Sequence, residues 1–292
     1  YFDKHGNYIY ASAATGVVYN PNEHKQRFNR TLTDDILSCS LSPDGNTCAM
    51  GEQGRKPKIC IWDVHSGNTL LMCEGFHRRG ITLLAWSPSG RMLASIGLDD
   101  DHSLAVWDTE TGQLIASSKG HQSRVLGLLF KSENEIIIVG VKHTKFFTLN
   151  QRRLKGKAGI FGKKGKLQPV LCVAALGTNV VTGQADGTLY LWQGRNCQMK
   201  TERKKADSNG KNAKGHVGPV TAIWTMAREG VISGGRDGIV IVWDRTLTEL
   251  KRFDISKLPS APRAISPKGD MVALPCGIQS VCASENQILV AT

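Results

Sequence analysis

The sequence is poor in long hydrophobic runs. Its uninterrupted apolar stretches are short, as around residues 136–139, whereas a membrane-spanning helix needs about 20 such residues. No membrane partner is expected. The start, Tyr1-Phe2-Asp3-Lys4-His5, is polar, so no secretory leader is expected. An initiating Met is also missing, so the chain is expected to be a piece of a longer protein. Helical periodicity is nearly absent, since no stretch sustains an apolar period of 3.6 residues. The eight cysteines make no C-x-x-C pair, and no histidine cluster stands at zinc spacing. Neither metal nor cofactor is expected. Cysteines inside apolar patterns, such as Cys60 in Lys58-Ile59-Cys60-Ile61-Trp62, are expected to be reduced core residues of a cytoplasmic protein. Acid is in deficit: the net charge of +12 favours acidic partners.

What the chain does have is an internal repeat. Three Trp-Asp pairs stand at Trp62-Asp63, Trp107-Asp108 and Trp243-Asp244, with Trp192-Gln193 as a fourth member. Successive members of this series are about 45, 85 and 51 residues apart. These intervals fit a repeat of about 40–45 residues if Phe147 fills the double gap. Upstream of each Trp lie short β-branched runs separated by turns. In the third repeat these are 81–86, Ser87-Pro88-Ser89-Gly90, 92–96 and 103–107, with a fourth strand at 113–117. The N-terminal repeat is partial, with strands at 8–13, 17–19 and 26–29 around a Thr15-Gly16 turn. A Pro-containing loop over 254–277 precedes two strands of a further repeat at 279–283 and 287–291.

In the sixth repeat Gly215-His216, Ser233, Asp237-Gly238 and Trp243-Asp244 stand in the order of the WD40 pattern. That resemblance implies a β-propeller, whose blades each carry a buried His, Ser/Thr, Asp and Trp tetrad. It carries to His216, Ser233, Asp237 and Trp243, and in the third repeat to His77, Ser95, Asp101 (or Asp100) and Trp107. The fifth keeps Thr182, Asp186 and Trp192 without the His. The fourth keeps Gly120-His121 alone. The fold expected is all-β, a seven-bladed WD40-type propeller with degenerate and partial terminal blades. It forms one domain over 1–292, with blades near 1–32, 33–75, 77–119, 120–156, 167–206, 215–254 and 278–292.

His216, Ser233 and Asp237 are also the residue types of a hydrolytic triad. No G-x-S-x-G elbow is present, however, and Ser233 falls inside a strand. No acid, base and nucleophile converge, so no enzymatic activity is expected.

A closer resemblance lies in Lys157-Ala158-Gly159-Ile160-Phe161-Gly162-Lys163-Lys164-Gly165-Lys166 running into Pro169-Val170-Leu171-Cys172-Val173. It also lies in the opening, Tyr8-Ile9-Tyr10-Ala11 with Gly16-Val17-Val18-Tyr19-Asn20, and in the extended turn 51–58 before Ile61-Trp62-Asp63 and Gly75-Phe76-His77. These segments resemble, in order and over nearly the whole chain, the echinoderm microtubule-associated protein-like family. The resemblance implies the N-terminal propeller of a tandem-propeller domain that binds tubulin or microtubules, in the cytoplasm on the cytoskeleton. The family's coiled coil and hydrophobic entry motif are not found here. The alternative is a generic WD40 scaffold assembling another complex.

Positive charge gathers in loops that are candidate partner-binding elements. One run holds Arg152, Arg153, Lys155, Lys157, Lys163, Lys164 and Lys166 with no acid. A second includes Arg203, Lys204 and Lys205. A third is Arg55-Lys56-Pro57-Lys58. They suit acidic protein surfaces, or serve only as solvated loops. Aromatics do not interleave with them apart from Phe161, which argues against nucleic acid.

Overall fold

The computed structural model describes residues 1, 3–202, 214–226, 230–258, 263–265, 271–273, 276–283 and 288–292. Two compact units are present, 1–138 with 144–158, and 139–143 with 159–292. Neighbouring strands pair antiparallel, as Tyr8–Ser12 does with Thr15–Asn20 and His143–Asn150 with Arg153–Ala158. The helical element among the described residues is one 3-10 turn, Ile255–Lys257. No described helix is long and apolar enough to cross a membrane.

The N-terminal sheet has three strands, Tyr8–Ser12, Thr15–Asn20 and Lys25–Asn29. Five four-stranded blades follow. Blade two is Ile36–Leu41, Thr47–Gly54, Ile59–Asp63 and Thr69–Cys73. Blade three is Arg79–Trp86, Met92–Gly97, Leu104–Asp108 and Leu114–Ser118. Blade four is Val125–Ser132, Glu135–Gly140, His143–Asn150 and Arg153–Ala158. Blade five is Val170–Leu176, Asn179–Gln184, Leu189–Gln193 and Asn196–Lys200. Blade six is Val220–Met226, Gly230–Gly235, Ile239–Trp243 and Glu249–Asp254. Two hairpins close the chain, Arg263–Ile265 with Met271–Ala273 and Ser280–Ala283 with Ile288–Ala291. The first of these lies inside the stretch that the prolines mark as loop.

Each second strand is buried on both faces, which is why it reads as a continuous run of Val, Ile, Ala and Gly instead of alternating. Fourth strands are the most exposed. Two bulges recur. One shifts register early in the first strand, at Ile36/Ser38, Ile81/Leu83, Val170/Cys172 and Val220/Ala222. The other falls just before the tryptophan, at Ile61/Trp62, Val106/Trp107, Leu191/Trp192 and Val242/Trp243. Blade four, with Phe147 in that place, has no shift there.

The acid of Trp-Asp caps the turn that follows it. Asp108 Oδ1 accepts the amides of Glu110 and Thr111 at 2.9 and 2.8 Å, and Asp63 and Asp244 do the same in their blades. Blade five has Gln193 instead, and there a two-residue hairpin with Gly194 at φ 54 leaves no amides to cap.

The Thr15-Gly16 turn is corrected. The chain reverses at Ala13-Ala14, and Gly16 lies in a strand paired with Ala11 and Asn29. A Cβ at Gly16 would stand 2.5 Å from the Met50 sulfur, so close packing, not a turn, requires the glycine. Blades two and three are one continuous sheet, because the second strand of blade two runs on to pair Gln53 with Gly80 and Gly54 with Arg79.

Candidate functional site

Each blade carries a buried polar or apolar brace between its second and third strands, and the basic segments lie on exposed strands and loops. In blade six the Trp243 indole N–H donates to Ser233 Oγ at 2.7 Å, and Ser233 Oγ lies 2.7 Å from His216 Nε2. His216 Nδ1 lies 3.1 Å from Asp237 Oδ1. Asp237 also accepts the amides of Val217 and Ile239. Although burial raises its pKa, the bond from His216 holds it below the usual carboxylate range. An ionised Asp237 only accepts, so the His216 Nδ1–H donates to it. Ser233 is fully buried and its oxygen has Trp243 on one side and His216 on the other, a geometry that braces strands and offers no access to a substrate.

Blade three holds a longer chain. Trp107 Nε1 donates to Ser95 Oγ at 2.8 Å, and Ser95 lies 2.6 Å from His77 Nε2. His77 Nδ1 then meets Ser103 Oγ at 3.3 Å, and Ser103 donates to Asp99. Burial pushes the His77 imidazole down to about 4, with the Asp99 charge opposing. The acid is therefore Asp99, not Asp101. Asp101 pairs outward with Lys119 at 3.0 Å and Asp100 with Arg79 at 2.6 Å. The interval decides it: Asp99 follows Ser95 by the same step as Asp237 follows Ser233.

Blade five replaces the histidine with a residue the sequence pattern did not single out. Trp192 Nε1 donates to Thr182 Oγ1 at 2.9 Å, and the fully buried Gln184 donates to the same oxygen at 3.0 Å. Asp186 caps its turn through the Thr188 amide. Gln184 pairs opposite Val170 as Gly97 pairs opposite Ile81 and Gly235 opposite Val220. A Cβ at Gly97 would fall 2.5 Å from His77 Nδ1, and one at Gly235 the same distance from His216 Nδ1. A histidine in the brace thus demands glycine at this position, and its loss makes room for a side chain. That Ser-x-Gly against Thr-x-Gln difference was the available signal.

Blade two has no polar brace. By register, Met50 stands where Ser95 does and Leu32 where His77 does. Both are buried with Trp62, whose indole nitrogen has no hydrogen-bond partner. In blade four Phe147 is buried, His121 is half-buried and accepts the Ser123 amide, and Lys145 Nζ sits 4.8 Å over the Phe147 ring.

The basic residues divide. Arg153, Lys155 and Lys157 lie on the fourth strand of blade four, all exposed, and Arg152 lies in the preceding turn. Lys163, Lys164 and Lys166 follow Ile160, which bridges to Asn196 of blade five through bonds to Arg195 and Cys197. Phe161 stacks edge-on 4.9 Å from Trp192, and Tyr190 Oη accepts the Lys166 amide at 3.2 Å. The Gly-Ile-Phe-Gly segment therefore fastens this basic loop to blade five. Lys58 pairs with Glu74 at 3.4 Å. Arg203, Lys204 and Lys205 lie outside the described residues.

Comparison with known proteins follows the same lines. The family described as echinoderm microtubule-associated protein first beta-propeller matches residues 25–291. Echinoderm microtubule-associated protein-like 2 of Rattus norvegicus is 30% identical over 86% of this chain and 39% of its own length. Echinoderm microtubule-associated protein-like 4 of Xenopus laevis is 31% identical over 91% of this chain and 31% of its own. The chain thus spans well under half of these relatives. Among solved structures, U3-55K (TM-score 0.67, 20% identity, 87% of this chain, 73% of that one) and the RRP9 WD40 repeats (TM-score 0.67, 19% identity, 97% and 78%) share the fold. The sheets are the blades of a WD40-type β-propeller.

Proposed function

Because the chain belongs to the echinoderm microtubule-associated protein family, matching its first propeller, we propose that it is a non-enzymatic binding propeller, one domain of a cytoplasmic, cytoskeletal protein, that engages tubulin or microtubules. The observation carrying this reading is the family match over 25–291 together with exposed bases that no acid offsets, at Arg153, Lys155 and Lys157. The buried tetrads serve the scaffold, and the exposed loops and edges serve the partner. Co-sedimentation of the full-length protein with soluble tubulin and with microtubules, at rising salt, tests it. Binding that weakens as salt rises is expected. No association with either form would overturn the tubulin reading and leave a scaffold for another complex.

A further inference from the structure

The fourth strand of blade four differs from the other fourth strands. Arg153–Ala158 ends its sheet at an edge. Alternation places Arg153, Lys155 and Lys157 on one face, across from Asn150, Thr148 and Phe146. Among the described residues none of the three forms an ion pair. In blade six, by contrast, Glu249 holds Arg252 at 2.6 Å, leaving Lys251 as a single exposed base and not a row. The fourth strands of blades two and three carry no base, and that of blade five is bridged by Ile160.

The backbone adds a second observation. The hairpin turns through two residues, Gln151 and Arg152, with Gln151 at φ 54. The pair closing such a turn exchanges both of its hydrogen bonds, and the pattern then alternates. The amides and carbonyls of Arg153, Lys155 and Lys157 are therefore spent inside the sheet. Those of Leu154, Gly156 and Ala158 point off the edge, a row ready to pair with another strand. Lysines over such an edge repel neutral or basic strands and self-pairing. An extended acidic segment meets both the open ladder and the charge.

We propose that Arg153–Ala158 is a docking edge for an extended acidic peptide segment, which adds to blade four as a further strand with carboxylates at alternate positions beside Lys155 and Lys157. This names the chemistry of the partner and rests on the tubulin reading for the partner's identity.

The test uses the full-length protein and a fluorescent nonapeptide alternating Glu and Thr. Binding should slow amide hydrogen exchange across 153–158 at least fivefold. Lys155→Glu with Lys157→Glu should weaken binding at least tenfold. Ala158→Pro keeps every charge but removes an outward N–H, and should weaken it as much. Unchanged exchange in blade three shows that the variants are folded. Unprotected amides at 153–158, or wild-type affinity in Ala158→Pro, would overturn strand addition. Tubulin co-sedimentation on the same variants separates the two readings. Peptide docking with protection supports the edge whatever tubulin does, and absence of tubulin binding then counts against the tubulin reading alone.

Discussion

Blades two and three lie in one sheet and solve the same packing problem in opposite ways. Blade three joins Trp107, Ser95, His77, Ser103 and Asp99 in a hydrogen-bonded chain. Blade two places Leu32, Met50 and Trp62 at the matching register and leaves the indole N–H unpartnered. Both tryptophans are essentially fully buried, and both follow the same bulge. Ring burial is therefore the shared requirement. The polar chain is one of two ways to fill the space beside it. Replacing both partners of a buried hydrogen bond by apolar groups can be nearly neutral, whereas a buried donor left unpartnered, as the Trp62 indole is, carries a cost.

The largest expected effect tests what the blades share. Trp62→Ala and Trp107→Ala should each cost about 3–5 kcal/mol, the usual range for emptying a buried aromatic site. Urea midpoints measure it, and a much smaller loss in blade two would break the equivalence. Next comes pH. Below pH 6.5, the ordinary histidine value, the unfolded chain takes up a proton at His77 that the folded chain refuses until about pH 4. Stability should therefore fall as pH drops through that window, by about 1.4 kcal/mol per pH unit from this group. A His77→Leu variant should show a shallower slope in that window, and an unchanged slope would contradict a buried neutral ring.

Ser95→Ala strips partners from both Trp107 and His77 and should cost about 2 kcal/mol. Combining His77→Leu with Ser95→Met installs the residues of blade two. The double variant should lose less than the sum of the single changes, and strict additivity would show that blade three cannot adopt the apolar solution. The smallest effect is the sharpest contrast. Trp107→Phe should cost about 1–2 kcal/mol for the lost donor, whereas Trp62→Phe should fall within about 1 kcal/mol of neutral, having no bond to lose.

The repeat and the blade-six brace could be read from Gly-His, Ser, Asp-Gly and Trp-Asp in sequence, whereas the hairpin of Arg263–Ile265 with Met271–Ala273 lay hidden in a stretch that its prolines mark as loop. Other features needed more. Asp99, Asp100 and Asp101 are chemically alike, and the interval that selects Asp99, four residues after Ser95, gains its meaning only from the matching step between Ser233 and Asp237. Gly16 looks like a turn residue until the neighbouring strand of blade two brings Met50 against it. Gln184 is marked only by the Thr-x-Gln that replaces Ser-x-Gly, because its role depends on a histidine that is missing. The basic runs were legible as charge. That Arg153, Lys155 and Lys157 form one face, and that Lys163–Lys166 belongs to a loop pinned by Phe161, depends on register and on ring packing.

The backbone pairing of Gln53 with Gly80 and of Gly54 with Arg79 has a consequence for how the protein comes apart. In repeat proteins each unit contributes its own stability plus a coupling to its neighbour. A coupling made of backbone bonds, not side-chain contact alone, should make blades two and three open together as one foldon. Their core amides would then share a single exchange free energy despite their different braces. A truncation placed between residues 54 and 79 would sever a sheet where elsewhere it would separate two.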